Sequence, residues 1–462
     1  MKIGRFTTTP EFWTTVATAL RLAGGLLILP WALRVIPADE MGIWYIWGSL
    51  GTFAALSDFG FSGTITRAAA FYWVGGEKFL GTGLSVIPND AAGPNWNKLE
   101  ALAKSSKRLY LLLGIGLAVF IAVLGRIFVF RSVNEAVITP KIEIAWWIFV
   151  GSNAVNLYGR WQSAFINGVG QVAEVARLTV LSTLLYLLVV AVVLKIGGGL
   201  LALSAGQVLP TVILNCFLNR KIARMRRGQD EIPDGEEEVG LRVLWPTSWR
   251  FGIVMVGVFL INNANMLVCA RFLSLGETAS YGLANQIVTL VTGVGYGLVG
   301  VRVPEMVSLR TSGRTHELHR LVGRQLILCV VLYLGSAIAL LGFGAGVLEI
   351  IGSKTMLPAS GLLVFFLFYR FLDFHHGCFG TVIMTENRVP FVLPALIAGA
   401  ATVGFAAILV PRYGLFGAML APAIIQALYN NWWMVWRGLK GMQCSYAHLF
   451  RMGALSLLRS SL

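Results

Sequence analysis

Apolar residues in this chain come in runs of about 20, the length that crosses a bilayer as a helix, and polar residues gather between them. The pattern predicts twelve spans. Six lie near 11–36, 41–61, 109–130, 144–166, 176–195 and 199–219, and six near 249–270, 279–300, 323–347, 358–384, 389–410 and 414–436. Nearly all connections are short, so consecutive spans run up and down. The expected fold is an all-α polytopic membrane protein with two pseudo-symmetric six-helix halves around a central cavity. Residues 1–219 and 247–436 form the halves, 220–246 a cytoplasmic linker, and 437–462 a cytoplasmic interfacial tail.

The second half echoes the first. A shift of 237 positions lays Arg34 on Arg271, Glu40 on Glu277, Trp44 on Tyr281 and Gly60 on Gly297. Further along, a shift of 217 lays Asn153 on Arg370 and Asn156 on Asp373. Two six-span halves with one connecting loop are the layout of transporters built from repeats, whose sites lie near the midplane.

Composition agrees with the pattern. The 462 residues are 56% hydrophobic and 13% charged, and a soluble protein of this size carries about 25% charged residues. The net charge of +15 therefore has to be sorted by membrane side before it is read as a nucleic-acid footprint. One set of loops holds Lys2, Arg5, Lys98, Lys107, the cluster NRKIARMRRG from Asn219, Arg310, Arg320 and Arg388. The other set holds only Arg34, Arg131, Lys141, Lys195, Arg271, Lys354 and Arg412. Both termini are then cytoplasmic by the positive-inside rule. No nucleic-acid partner is expected. The opening MKIGRFTTTP is not expected to be a cleaved signal, because the apolar run after it is long and lacks a small-residue cleavage site. Cys216, Cys269, Cys329, Cys378 and Cys444 form no CxxC pair, so neither a disulfide framework nor a metal site is expected.

The candidate chemistry is in polar residues set deep in apolar spans. The tenth span reads FFLFYRFLDFHHG from Phe365. Arg370 falls about 18 Å below its outer end, and Asp373, three residues on, shares its face and can pair with it. A lone arginine at that depth costs about 2.5–3.5 kcal/mol or more, so it should face protein or a wet cavity. His376 continues the face, and His375 points elsewhere. Arg21 lies roughly 15 Å into the first span, beyond snorkelling reach. Asn262 and Asn265 share a face of the seventh span in LINNANML, Asn285 and Gln286 follow in the eighth, and Asn153 and Asn156 sit in the fourth. These amides serve either a substrate or helix–helix hydrogen bonds. Asp58, near the inner end of the second span, either couples transport to an ion or pairs with Arg67 or Arg21.

The stretch EMGIWYIWGSLGTFAALSDFGFSGTITRAAA (Glu40 to Ala70) resembles the polysaccharide transporters, the Wzx-type O-antigen flippases, of the multidrug/oligosaccharidyl-lipid/polysaccharide exporter superfamily. Its carriers are Gly42 and Trp44 at the helix start and Asp58, Gly60, Thr66 and Arg67 at the inner end. FLSLGETASYGLANQI, from Phe272, echoes the second-half signature. The resemblance implies alternating access and a lateral opening for a lipid-linked sugar, in the bacterial inner membrane. It fixes no individual substrate residue.

The expected function is translocation of an undecaprenyl-diphosphate-linked oligosaccharide, an O-antigen or other surface-polysaccharide repeat unit, from the cytoplasmic to the outer leaflet. Arg21 and Arg370, one per half, would meet the diphosphate at the cavity, because a guanidinium fork matches phosphate oxygens. Asn153, Asn156, Asn262, Asn265 and Gln286 would meet sugar hydroxyls. Asp58, Asp373, His375 and His376 would couple to an H+ or Na+ gradient or form ion pairs, histidine being able to titrate near neutral pH. A peptidoglycan-precursor flippase and a drug or cation antiporter are the alternatives. A membrane enzyme fits less well, since no substantial outer loop carries an acid/base pair or metal motif. No catalytic residue and no cofactor is expected. The partners expected are membrane lipids and polysaccharide-assembly proteins, around a monomer.

Overall fold

The computed structural model describes residues 10–80, 93–125, 127, 138–226, 252–253, 255–386 and 392–460. Lys2, Arg5, Arg126, Arg131, Arg250, Arg388 and the linker beyond Arg226 lie outside them. The described residues form helices and no strand. The chain divides into two compact units, Met1–Phe259 and Leu260–Leu462.

In the first unit, α1 (Pro10–Val35) begins with proline, whose missing N–H costs nothing at a helix start, and stops before Pro37. α2 (Ala38–Gly51) and α3 (Phe53–Leu56) together make the second span. That span ends where Phe59 and Gly60 turn left-handed (φ 45° and 74°), a conformation only the glycine adopts freely. α4 (Phe61–Trp73) then follows as a separate helix, where the apolar pattern had ended the span at 61. α5 (Trp96–Gly125), α6 (Pro140–Gly168), α7 (Val172–Lys195) and α8 (Leu200–Arg226) complete the unit. Thr139 caps α6 by accepting from the Ile142 N–H, with Pro140 as first residue.

The second unit repeats this order. α9 (Ala264–Phe272), preceded by helical turns from Met255, leads to α10 (Leu275–Gly300), which Ser274 and Glu277 start with a reciprocal capping box. Ala38 and Leu275, the first residues of α2 and α10, are 237 positions apart, the offset read from the sequence. α11 (Val303–Thr311) follows as α4 follows the second span. Then come α12 (Thr315–Ile351), α13 (Ser360–Met384), α14 (Val392–Leu428), α15 (Asn430–Met442) and the tail helix α16 (Tyr446–Ser460). α14 contains the eleventh span and the first part of the twelfth, reversing at Gly414 (φ 56°, ψ −135°). The turn is so tight that a Cβ on Gly417 would come within 2.3 Å of the Leu409 carbonyl oxygen.

Among the described residues, nine helical stretches are long and apolar enough to cross a membrane. With the reversal inside Leu393–Met442, the interrupted α2–α3 and the more polar α6, they account for the twelve expected crossings. Aromatic packing fixes the helices that carry polar residues. Trp47 lies 5.2 Å from Trp146 between ring centroids, and Trp146 stacks on Phe149, locking α2 on α6. In the second unit Phe374 touches Tyr296 and Tyr333 at 5.1 and 5.7 Å, tying α13 to α10 and α12.

The tail helix docks on α12 through small residues. A Cβ on Gly323 would sit 2.1 Å from the Leu449 carbonyl oxygen, so the two backbones touch there. Leu449 and Met452 are buried beside that contact, and His319 Nε2 lies 2.8 Å from the Met442 carbonyl oxygen. Gly323→Val should therefore release the tail. Limited proteolysis of the purified protein should cut within 446–460 in the variant and leave the parent intact. Equal resistance would mean that the contact does not hold the tail.

Candidate functional site

In the first unit α1, α6, α7 and α8 enclose a partly open pocket of about 330 Å³. Small residues let the helices close around it. Gly24 of α1 would bring a Cβ to 3.3 Å from Leu187, and Gly206 of α8 one to 2.4 Å from Val190. Arg21 is the one charged residue among the described residues that line it. Among the described residues Arg21 has no ion-pair partner. Around it stand amides and hydroxyls: Ser152, Asn153 and Asn156 from α6, Thr183 and Tyr186 from α7, Gln207 and Thr211 from α8.

Several of these are pre-positioned by local bonds. Asn153 Nδ2 donates to the Phe149 carbonyl at 2.9 Å, Ser152 Oγ to the same oxygen at 2.8 Å, and Thr183 Oγ1 to Thr179 at 2.9 Å. Arg21, Asn153 and Asn156, predicted from two separate spans, thus meet in one pocket. Tyr186, Gln207 and Thr211 were not singled out from the sequence, because single polar residues in apolar runs carry no periodic signal.

In the second unit Arg370 and Asp373 lie one turn apart on α13, with Nη1 and Oδ2 at 3.8 Å. Arg370 Nη1 also donates to Asn262 Oδ1 at 3.4 Å. The pair is loose. Both side chains are about 15% exposed, yet Arg370 Nε and Asp373 Oδ1 are buried without a hydrogen-bond partner. Tyr281, Tyr296, Tyr333 and Tyr369 lie within electrostatic reach of the guanidinium. Gln286 is half-buried, and its Oε1 also lacks a partner.

Other predicted residues are engaged elsewhere. Asn265 is buried and donates to the Tyr281 hydroxyl (2.9 Å) and the Ala418 carbonyl (2.7 Å), bridging α9 to α10 and α14. His376 Nδ1 donates to Asn431 Oδ1 at 2.8 Å, and His375 Nε2 lies 2.9 Å from the Tyr446 hydroxyl. The adjacent histidines thus tie α13 to α15 and α16, not to the Arg370–Asp373 pair.

Asp58 pairs with neither Arg67 nor Arg21. Its carboxylate accepts from Ser62 Oγ at 2.7 Å and from the Tyr110 hydroxyl, and Arg67, exposed on α4, donates to Thr64 Oγ1 at 3.3 Å. The turn at Phe59–Gly60 is the cause, since it presents Asp58 to α5 while Arg67 faces away.

No protein-family model matches the sequence, and no curated protein sequence matches it significantly. Solved structures do match. An inward-facing multidrug-resistance MATE family transporter of the MOP superfamily aligns over 93% of this chain and 96% of its own, with TM-score 0.59 and 16% identity. The lipid II flippase MurJ in an inward closed conformation aligns over 97% of this chain and 90% of its own, with TM-score 0.60 and 11% identity. A MOP superfamily transporter from Pyrococcus furiosus, described as having a binding pocket of reverse polarity, aligns over 96% and 99%, with TM-score 0.50 and 14% identity. At these identities the likeness is one of architecture: the chain has the all-α fold of the MOP superfamily transporters.

Proposed function

We propose that this protein is a flippase that moves an undecaprenyl-diphosphate-linked oligosaccharide from the cytoplasmic to the outer leaflet by alternating access. The observation that carries the reading is the pocket of the first unit, where an unpaired arginine stands beside amides and hydroxyls and, among the described residues, no carboxylate lines the wall. That donor set suits an anion attached to sugar. Guanidinium groups bind phosphate oxygens in two-pronged fashion, and amides and hydroxyls match sugar hydroxyls. An O-antigen or other surface-polysaccharide unit is the cargo, the bacterial inner membrane the location, and both termini are cytoplasmic.

A peptidoglycan precursor carries the same diphosphate, and the fold shared with the lipid II flippase MurJ keeps that cargo as the second reading. A drug or cation antiporter is disfavoured, because a cationic cargo needs an acid in the pocket. The protein reconstituted in liposomes should move a fluorescent undecaprenyl-diphosphate oligosaccharide between leaflets and leave ethidium in place. Movement of ethidium without the glycolipid would replace this reading with the antiporter.

Two further outcomes follow from the charges. Reporter fusions at Arg226 should be cytoplasmic and those at Lys141 and Lys354 external. An external signal at Arg226 would invert the orientation. Asp373 is the acid we assign to gradient coupling, through its loose contact with Arg370. Asp373→Asn should flatten the dependence of transport on an H+ or Na+ gradient in a protein that still folds. Unchanged dependence would make Asp373 a structural partner of Arg370.

A further inference from the structure

A second arginine of the first unit lies on the polar face of α6, outside the pocket lining. Asn153, Asn156 and Arg160 follow at i, i+3 and i+7, within about 60° of one another around the helix axis. The first two line the pocket beside Arg21. Arg160 is one turn further toward the cytoplasm, about 12 Å from the inner end of α6 at Gly168, so its Cα lies within the fourth span.

A guanidinium at that depth is expected to have a counterion or a wet cavity. Arg160 is half-buried, and among the described residues it has no ion pair and no hydrogen bond. Its nitrogens are nonetheless not sealed off, since none is among the buried unpaired atoms. The buried acid on that side of the unit, among the described residues, is Asp58, whose partner Tyr110 is within electrostatic reach of Arg160. Asp58 makes no ion pair with Arg160: Ser62 Oγ bonds one carboxylate oxygen and the Tyr110 hydroxyl the other. Asp58 is thus bonded to Ser62 and Tyr110, and among the described residues Arg160 keeps its donors without a bonded partner.

We infer that Arg160 is an anion-binding residue of the first unit that takes the diphosphate of the cargo on the cytoplasmic side of the Arg21 pocket. The inference rests on the flippase reading above and deepens it. Five N–H donors in a planar fork fit an oxyanion with several oxygens, and Asn156, one turn outward, offers an amide to the adjoining sugar or second phosphate. The face from Arg160 to Asn153 is about 10 Å long, a continuous polar track from the inner side toward Arg21. The shared chemistry is a phosphate-type anion, which a diphosphate-linked lipid, an ordinary anionic phospholipid or free pyrophosphate would each supply.

The test uses the full chain in phosphatidylcholine nanodiscs, with undecaprenyl diphosphate as the probe. Arg160→Gln should weaken binding at least about tenfold, with an unchanged melting temperature. Arg160→Lys keeps the charge without the fork and should weaken it about threefold to tenfold, which carries the test if the glutamine variant does not fold. Inorganic pyrophosphate should compete, and nanodiscs containing phosphatidylglycerol should not reduce binding. Equal affinity in wild type and both variants overturns the inference and leaves the flippase reading standing. Loss of binding in phosphatidylglycerol nanodiscs overturns it too, because the site would then take any lipid phosphate. A wild-type protein that binds no undecaprenyl diphosphate overturns both.

Discussion

Arg370→Ala should abolish transport of the lipid-linked oligosaccharide while the amount of protein in the membrane stays normal. On the proposal that Arg370 also grips a phosphate, each charge-assisted hydrogen bond is worth about 1.5–3 kcal/mol, so losing two weakens the loaded state on the order of 100-fold or more. Lysine should substitute poorly, since it supplies a point charge in place of the fork. The loose geometry on α13 favours a binding role. A purely structural pair would close to a bonded distance, yet Nη1 and Oδ2 stand 3.8 Å apart with a buried donor and a buried acceptor unused. Because alanine leaves Asp373 without its cation, the neutral double variant Arg370→Gln with Asp373→Asn provides a second arm, folded and inactive. Arg412→Ala, an exposed cation at the reversal of α14, should be nearly silent. Normal transport by Arg370→Ala, or loss only through disappearance of the protein, would make the pair a structural clasp.

The largest expected effect on stability belongs to Glu386, just past the end of α13. Its two carboxylate oxygens each hold a different arginine: Oε1 is 2.8 Å from Arg310 Nη1 of α11, and Oε2 is 2.7 Å from Arg437 Nη2 of α15. Exposure of 14% for the glutamate and 18% and 23% for the arginines makes this a mostly dehydrated triad. Removing one member of a buried pair costs about 3–5 kcal/mol, because the remaining charge is left without a partner. Here two arginines are stranded at once. Glu386→Gln should lower the melting temperature of the purified protein by several degrees and reduce its yield in the membrane. Glu386→Asp, whose shorter arm reaches one arginine at most, should fall between. A glutamine variant as stable as the parent would show that the triad sits in water and contributes little.

How much of this was legible in the sequence depends on the range of the interaction. The spans were, because a bilayer imposes one length and one polarity on every crossing. Arg370 with Asp373 was, because the pair is local to one helix turn. Arg21, Asn153 and Asn156 stood out as polar residues at depth, but their meeting in one pocket depends on Gly24 and Gly206, which let α1 and α8 close on α7. The end of the second span near 61 was legible as well, but the helix that follows it, Phe61–Trp73, was not read as a separate element. The consequence of the turn at Phe59–Gly60, Asp58 directed to Tyr110 of α5 across 52 positions, is a tertiary bond with no local trace. The destinations of His375 and His376 were hidden for the same reason, as Asn431 reaches His376 from the twelfth span and Tyr446 reaches His375 from the tail helix. Arg160 was legible in principle from its spacing to Asn153 and Asn156. What marks it out is that Asp58 bonds Ser62 and Tyr110 and forms no ion pair with Arg160, which only the three-dimensional structure supplies.

The central claim is that the pocket of the first unit receives the head group of a lipid-linked oligosaccharide, and site-directed photocrosslinking tests it most directly. A benzophenone amino acid at Tyr186, which lines the pocket, should cross-link a radiolabelled undecaprenyl-diphosphate oligosaccharide, and Arg21→Ala should remove the adduct. The same group at Leu188, on the outer face of α7 and 60% exposed, should label bulk phospholipid instead. Equal glycolipid adducts at Tyr186 and Leu188, or an adduct at Tyr186 that survives Arg21→Ala, would contradict the account.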